Sequence, residues 1–477
     1  MFWNFKDIGD SNIAIYDDAF KKSITYGELK HDSDDVLKRI NGNGKKLVFL
    51  FCDNSYLSVL VYLSMLRGGY AVFLGNGKMD TYLKTKLLKV YKPDLIWSSE
   101  YIERVEGYEE FAASAEVTFL KQSQPDSTPI HPDLGLLLST SGTTGSPKLV
   151  RLSYKNIQAN AESIVKYLEI ANDEKAITTL PLHYSYGLSL LHSHLQAGAT
   201  LVCTNHSVIT KPFWETFKEQ SCTSIAGVPF TYQMLERLRF ERMNLPSLRT
   251  LTQAGGRLDN ERLRKFSEFA KNKGIRFYVM YGQTEASPRI SYVPYKVLPE
   301  KIGSIGIPVP CGEMMICDEG KEITEPGIVG ELVYRGANVM MGYAEGRSDL
   351  AEGDVMNNIL KTGDIAYRDS DGYFFITGRK KRFLKIYGLR INLDDVEEAL
   401  ETHFATAVAC CGTDDELFIA VEARNPQDLK DVIDYTVNLY NLHHSVVHAE
   451  FVERLPRTSS GKKNYLAIER RRSNGSI

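Results

Sequence analysis

The sequence predicts an α/β protein of two to three domains built on largely parallel sheets. At 477 residues, the chain is too long for one ordinary hydrophobic core. Short β-branched or aromatic runs alternate with amphipathic helical patterns, which is typical of parallel sheets covered by helices. Glycine-bounded short strands such as GELVYRG and DGYFFITGR follow in the later part of the chain and predict a small β-rich subdomain there.

The individual elements follow from local patterns. Residues 45–51 (KKLVFLF) predict a buried strand, and SYLSVLVYLSMLR predicts a helix that ends at Gly68 and Gly69. Further strands are expected at ATLVCT, CTSIAGV and LRTLTQAGG, each preceded by a helical segment. These segments supply the alternation on which the predicted fold class rests.

A basic cluster, GRKKRFLK at residues 378–385, marks the predicted domain boundary. We place a large N-terminal domain at residues 1–380 and a small C-terminal domain at 381–477. The small domain has its own βαβ-like pattern, and INLDDVEEALETHF predicts a helix with Asp394 or Asp395 near its N-terminus. On charge alone, the cluster is equally compatible with a solvated surface turn.

Composition excludes several classes of protein. The net charge of −3 argues against a dedicated nucleic-acid binder. The N-terminus has no signal-peptide pattern, and the apolar segment at residues 56–66 is shorter than the ~20 residues of a membrane span. The seven cysteines contain no CxxC pair, so we expect reduced thiols, no zinc site and a cytoplasmic protein.

The stretch LLLSTSGTTGSPKLVRLS, at residues 136–153, has the composition of a phosphate-binding loop. Backbone N–H groups and the hydroxyls of Thr140, Ser141, Thr143 and Thr144 would hold phosphate oxygens. A Walker A loop is excluded because strand-like LVRLS follows Lys148 and the helix begins later, with Ser153 as its N-cap. The loop is therefore expected to join two strands. A plain flexible turn is the alternative on composition alone.

Six motifs in order resemble those of the adenylate-forming superfamily, which includes acyl- and aryl-CoA synthetases, adenylation domains of peptide synthetases and firefly luciferase. The motifs span essentially the whole chain and are STSGTTGSPK, PLHYSYGLS, AGG, YGQTEAS, KTGDIAYRDSDGYFFITGRKKRFLKIYGLRI and LPRTSSGKK. The resemblance implies a large domain of αβαβα-layered sheets plus a β-rich subdomain. It also implies a small mobile α+β C-terminal domain that carries a catalytic lysine.

The resemblance implies an AMP-forming ligase. Such an enzyme activates a small carboxylic acid, fatty (acyl) or aryl, with Mg-ATP to an acyl-adenylate and releases pyrophosphate. The acyl group then passes to the thiol of coenzyme A. The alternative is a stand-alone enzyme that loads the phosphopantetheine of an acyl carrier protein. Rivals of another kind are a luciferase-like oxygenase and a nucleotide-binding regulator without activity.

The resemblance also implies roles for particular residues. The loop would hold the β- and γ-phosphates, Thr284 the α-phosphate and Glu285 the Mg²⁺. The residues expected to bind ATP are Thr140, Ser141, Gly142, Thr143, Thr144, Gly145, Lys148, Gly255, Gly256, Tyr281, Asp364, Ile376 and Arg379. Tyr281 and Ile376 would flank the adenine, while Asp364 and Arg379 would reach the ribose or phosphates.

Lys462 is the expected catalytic lysine, and its neighbour Lys463 is expected to be exposed and dispensable. Lys381 would occupy the hinge between the domains, and Gly388 would face the site during thioester formation. The acid pocket would include His183, Tyr184 and Gly187. That region contains no acidic residue for an α-ammonium group, which disfavours amino-acid substrates.

Three positions depart from the family pattern. Leu149 replaces a glycine just after the loop, Leu393 replaces a common proline, and Asp395 replaces a common glutamate. These departures do not touch the adenylation chemistry and bear on the choice of acceptor.

Overall fold

The structure is a computed structural model. It describes residues 1–40, 44–79, 81–101, 105–124, 126–139, 148–310, 312–379, 382–386, 389–413, 415–422, 427–440, 442–458 and 461–473. The predicted phosphate-loop residues Thr140, Ser141, Gly142, Thr143, Thr144 and Gly145, together with Lys381 and Gly388, lie outside the described residues.

The helices of the described chain are α1 (Tyr26–Ile40), α2 (Tyr56–Arg67), α3 (Thr81–Tyr91), α4 (Tyr154–Leu168), α5 (Ser185–Gln196), α6 (Lys211–Glu219), α7 (Pro229–Arg237), α8 (Asn260–Lys273), α9 (Leu393–Phe404), α10 (Gln427–Tyr440) and α11 (Tyr465–Ser473). The first strands are β1 (Ile13–Asp17), β2 (Lys22–Thr25), β3 (Leu47–Cys52), β4 (Ala71–Asn76), β5 (Leu95–Ser98), β6 (Tyr108–Ala112), β7 (Thr118–Gln122), β8 (Leu134–Ser139), β9 (Leu149–Ser153), β10 (Lys175–Ile177), β11 (Thr200–Cys203), β12 (Ser224–Gly227), β13 (Thr250–Gln253) and β14 (Arg276–Tyr281). The later strands are β15 (Ser291–Val293), β16 (Ile307–Pro308), β17 (Gly312–Asp318), β18 (Lys321–Ile323), β19 (Gly330–Gly336), β20 (Gly342–Ala344), β21 (Ile359–Arg368), β22 (Phe374–Arg379), β23 (Phe383–Ile386), β24 (Leu389–Asn392), β25 (Ala407–Thr413), β26 (Glu416–Glu422) and β27 (Val447–Phe451).

The chain forms two compact units. The first comprises residues 1–314 and 334–360, and the second comprises 315–333 and 361–477. The domain boundary predicted at residues 380/381 stays a prediction.

Two large sheets form the first unit. One has the strand order β16-β15-β14-β13-β12-β10-β11-β1-β2, and the other has the order β20-β9-β8-β4-β3-β5-β7-β6. The pairs from β1 through β11, β10, β12 and β13 to β14 are parallel, as are β3–β4, β3–β5 and β4–β8. Antiparallel strands complete the edges. The predicted α/β class with largely parallel sheets is therefore confirmed.

The side chains of the sheets pack in alternating layers. On β3, Phe49 and Phe51 pack with Tyr91 of α3 on one face, while Val48 and Leu50 join α2 and α5 on the other. One face of the nine-stranded sheet packs with α5, and its other face packs against α6, α7 and α8. Helices thus lie outside and between the two sheets, which is the αβαβα layering that the family resemblance implied.

The second unit contains the β-rich segment and the C-terminal α+β part. β17–β18 and β21–β22 are antiparallel pairs of a five-stranded sheet. β26 and β27 are parallel and connected through α10, which confirms the βαβ-like pattern. α9 begins after the N-cap Asn392 and carries Asp394 and Asp395 in its first turn, where carboxylates favour a helix N-terminus. In the part of the chain that the structure describes, no helix has the length and apolar character that crossing a membrane requires.

Candidate functional site

The carboxyl ends of three parallel strands meet at one edge of the nine-stranded sheet. Gly227 of β12 pairs with Gln253 of β13, which in turn pairs with Val279 of β14. The segments that follow these strands therefore start side by side. They include the predicted residues Gly255 and Gly256 after β13, and Thr284 after β14. Ligands of open α/β sheets bind at such carboxyl ends.

The N-terminal end of α5 reaches the same edge. Gly255 has φ of +81°, and a Cβ atom at this position would lie 2.6 Å from the hydroxyl oxygen of Tyr184. The hydroxyl of Ser185 lies 3.2 Å from that of Thr284. The structure thus brings together Tyr184, Gly255 and Thr284, which the family resemblance assigned to the acid, the adenine side and the α-phosphate.

Glu285 lies in a cluster with two residues from other segments. The Tyr343 hydroxyl donates a hydrogen bond to Glu285 Oε1 at 2.9 Å, and Lys148 Nζ lies 3.9 Å from the centroid of the Tyr343 ring. Burial, and next the Glu285 charge, raise the pKa of Tyr343, so the phenol keeps the proton that it donates. Tyr343 was not identified from the sequence, because 58 residues separate it from Glu285.

The donor set around Glu285 fits Mg²⁺ held mainly by a nucleotide. Mg²⁺ in phosphate-transfer sites is bound by one or two carboxylates, with phosphate oxygens and water completing its coordination. Among the described residues, no group of three or more His, Cys, Asp or Glu side chains could hold a metal ion. Glu285 would supply a protein carboxylate, and phosphate oxygens would supply further ligands.

The strands beside the phosphate loop are arranged as the sequence predicts. Ser139, at the end of β8, pairs with Leu149 at the start of antiparallel β9. Ser153 is the N-cap of α4, and its side chain accepts a hydrogen bond from the Asn156 backbone N–H at 3.0 Å. The predicted connection of two strands, with a helix starting only at Ser153, is confirmed.

The predicted pocket residues His183 and Gly187 have clear structural environments. Burial lowers the pKa of His183 to about 4, so its ring is neutral at pH 7. A Cβ atom on Gly187 would lie 2.2 Å from the Pro181 carbonyl oxygen. Glycine therefore allows the first turn of α5 to pack against the preceding backbone.

In the second unit, Asp364 and Arg379 face each other on paired strands. They are register partners on β21 and β22, and Arg379 Nε donates to Asp364 Oδ1 at 3.1 Å. The side chain of Asp364 is 4% exposed and that of Arg379 is 59% exposed. Ile376 lies on the same strand as Arg379, opposite Ala366.

Lys462 belongs to a tight loop of the second unit. Its carbonyl oxygen accepts from the Thr458 N–H at 2.8 Å, and its own N–H donates to Thr458 Oγ1 at 3.2 Å. Arg457 and Lys463 form a β-bridge on either side. This backbone pairing fixes the position from which the Lys462 side chain projects.

The expectation that Lys463 is exposed is wrong. Its side chain is 18% exposed, and Nζ lies 2.6 Å from Glu397 Oε2 and 2.8 Å from Glu401 Oε1 of α9. Glu397 also accepts from the Tyr465 hydroxyl at 3.0 Å and pairs with Arg382. Lys463 ties the Lys462 loop to α9, and it has a structural role.

The chain is similar in sequence to proteins of known activity. The model of the AMP-binding enzyme family matches residues 9–344. The chain is 31% identical over 364 residues to an indoleacetate–CoA ligase of Aromatoleum aromaticum, covering 72% of this chain and 69% of the relative. It is 27% identical to a 2-succinylbenzoate–CoA ligase of Bacillus subtilis, covering 94% and 92%.

A solved structure shares the fold over nearly the whole chain. O-succinylbenzoate coenzyme A synthetase from Bacillus subtilis, in complex with AMP, superposes with a TM-score of 0.78 at 23% identity and covers 98% of this chain and 97% of its own. The same enzyme in complex with ATP and magnesium ion gives a TM-score of 0.74. At this identity, the likeness concerns the fold alone.

Gly187→Ala is expected to destabilise the protein by about 1–3 kcal/mol, because the added methyl group overlaps a backbone carbonyl. The midpoint of thermal unfolding measures this loss. Gly346→Ala is the matched control, since its nearest neighbouring atom would be 3.9 Å away and its backbone is extended. An unchanged midpoint for Gly187→Ala would contradict the packing role.

Lys463→Met is expected to lower stability by about 3 kcal/mol, because Glu397 would keep a nearly buried charge with one cation fewer. Calorimetric unfolding provides the measurement. The control is Lys321→Met, which changes an exposed lysine of β18 in the same unit. Equal, small effects of the two substitutions would show that the Lys463 ion pairs do not hold the loop.

Proposed function

The chain belongs to the AMP-binding enzyme family, and on that premise we propose that it activates an acyl or aryl carboxylic acid with Mg-ATP and transfers the acyl group to the thiol of coenzyme A. The observation that carries the proposal is the junction of Tyr184, Gly255, Thr284 and Glu285 at one edge of a parallel sheet. These residues come from three separate motifs of the family. The names of its relatives, CoA ligases for indoleacetate and 2-succinylbenzoate, support the same class of reaction.

The first half-reaction makes an activated acid. A carboxylate oxygen of the substrate attacks the α-phosphorus, a new P–O bond forms, and the bond to the β-phosphate oxygen breaks to release pyrophosphate. Charge develops on the phosphate oxygens, so the site needs positioned cations and donors more than a base. Lys148, Thr284 and the phosphate loop would supply them, while Glu285 would hold the Mg²⁺ that neutralises the phosphates.

Tyr343 has a positioning role in this proposal. Its hydroxyl donates a hydrogen bond to Oε1 of Glu285, and Oε2 takes no part in that bond. Its ring lies against the ammonium group of Lys148. Such a contact restrains two charged side chains that would act on the same phosphates.

Residues of the second unit would complete the chemistry. Asp364 would accept hydrogen bonds from the ribose, with Arg379 and Ile376 near the nucleotide, and Lys462 would bridge the attacking carboxylate and the α-phosphate. In the second half-reaction the thiol sulfur attacks the acyl carbon, AMP leaves and the thiol proton is released. We propose that the C-terminal domain, 381–477, reorients between these steps about Lys381 and presents Gly388 to the incoming thiol.

The function predicts Mg-ATP-dependent pyrophosphate release and hydroxamate formation in the presence of hydroxylamine with one class of acid. A panel of fatty, aryl and amino acids would be tested with coenzyme A, with a phosphopantetheinylated carrier protein and with neither. Thioester with coenzyme A supports the proposal, and thioester only with the carrier protein identifies the alternative acceptor. Measurable ATP binding without pyrophosphate for any acid would contradict the function.

Lys462→Ala is expected to reduce pyrophosphate release by about 100- to 1,000-fold, since a cation near developing negative charge is lost. Thioester formation from a supplied acyl-adenylate is expected to survive. Gly388→Leu is the reciprocal variant and should spare adenylation while blocking thioester formation. An equal loss of both steps in Lys462→Ala would remove Lys462 from this role.

A further inference from the structure

A small cavity of about 20 Å³ lies in the first unit, beside the strands that carry the site. Its wall includes one face of α5, with Tyr186, Ser189 and Ser193, and residues of β12, β13 and β14. A volume of this size holds about one water molecule or one hydroxyl group. A carboxylate, with two oxygens and a carbon, needs more room.

Arg289 forms part of the cavity wall and is 3% exposed. Its guanidinium carbon lies 4.2 Å from the centroid of the Tyr186 ring, and Nη2 donates to Ser189 Oγ at 3.1 Å. Among the described residues, its buried Nε–H has no hydrogen-bond partner. A buried donor without an acceptor is costly, so this N–H favours a ligand oxygen.

His194 supplies a buried acceptor on the same wall. Its Nδ1 lies 2.8 Å from the Leu190 carbonyl oxygen, and a carbonyl can only accept, so Nδ1 carries the proton. Burial lowers the pKa of His194 to about 4, so the ring is neutral at pH 7. Its Nε2 is thus a hydrogen-bond acceptor, and it has no partner within the described chain.

The charges at the cavity disfavour a positively charged group on the substrate. Glu174 also lines the cavity, but its carboxylate lies 2.7 Å from Nη2 of Arg276. Arg289 has no carboxylate partner in the described ranges, so a cationic substrate group would meet an uncompensated guanidinium. A neutral hydroxyl fits both the volume and the pairing of one donor with one acceptor.

The cavity lies one to two helical turns along α5 from the contact between Ser185 and Thr284. Ser185, at the start of α5, contacts Thr284, while Ser189 and Ser193 line the cavity four and eight residues further along the same helix. At 1.5 Å per residue, that separation is about 6–12 Å. The rings of Tyr184, at the site, and Tyr186, at the cavity, have centroids 6.4 Å apart. An aryl or medium-length acyl group spans this distance.

We propose that the cavity receives a hydroxyl group at the far end of the acid substrate, which accepts a hydrogen bond from Arg289 and donates one to His194. The inference rests on the proposed function, because it names the acid that the ligase activates. Arg289 and His194 are then the specificity-determining residues, and the preferred substrates are aryl or acyl acids with a terminal hydroxyl.

The test compares matched acids by hydroxamate formation: 4-hydroxycinnamate with cinnamate, and 8-hydroxyoctanoate with octanoate, with octanedioate as the anionic arm. In at least one of the two pairs, kcat/KM of the wild-type protein is expected to be more than about 10-fold higher for the hydroxy acid than for the plain acid. With the plain acid, the buried polar groups of the cavity would stay unpaired. Arg289→Met and His194→Leu are each expected to lower that preference by about 10-fold or more, while activity on the plain acid persists.

His192→Leu is the matched control. His192 is as buried as His194 and belongs to the same helix, but its Nε2 pairs with the Tyr62 hydroxyl at 2.8 Å. This variant should lose stability without changing the preference. If the variants fold poorly, the wild-type comparison alone decides the proposal.

Three results would overturn the inference: no preference for a hydroxy acid in either pair, a preference for octanedioate, or an unchanged preference in active Arg289→Met and His194→Leu. Hydroxamate from other acids with any of these results would leave the proposed function intact. No hydroxamate from any acid, despite ATP binding, would instead refute the function, and the inference with it.

Discussion

The parallel register of β12, β13 and β14 is the constraint on which the site of the first unit depends. Backbone hydrogen bonds align Gly227, Gln253 and Val279, so the segments that follow the three strands begin at the same edge of the sheet. A slip of one residue would turn every side chain to the opposite face and separate Gly255 from Tyr184. The placement of these motif residues is thus a consequence of sheet pairing.

Helix α5 contacts both the site at this edge of the sheet and the neighbouring cavity. Its N-cap Tyr184 and its first turn contact the segments after β13 and β14, while its second and third turns border the cavity. In the proposed reaction, one helix would therefore fix both the position of the reacting carboxylate and that of the distal end of the acid. The family and the acid–thiol ligase class inferred from the motifs are confirmed by the comparisons. The proposed selectivity for the acid would depend on residues of α5 together with Arg289.

Local patterns were sufficient to predict much of the fold. The uninterrupted apolar run of β3 indicates burial on both faces, and the Ser153 hydroxyl before an amphipathic segment marks the start of α4. Tyr343 and Arg289 could not be identified in this way, because their roles arise from contacts with distant segments. Lys463 was misassigned because lysine is exposed by default, and its partners on α9 lie more than 60 residues away in the chain.

The pairing of Asp364 with Arg379 has a consequence for how a nucleotide would dock. The carboxylate is nearly hidden, and the guanidinium that contacts it extends into solvent. The carboxylate can accept further hydrogen bonds beside the one from Arg379, so a ribose hydroxyl arriving at Asp364 would not need to displace the guanidinium. Arg379 would instead hold the acceptor in one orientation before the nucleotide arrives. Part of the ordering cost of docking would then already be met in the free protein.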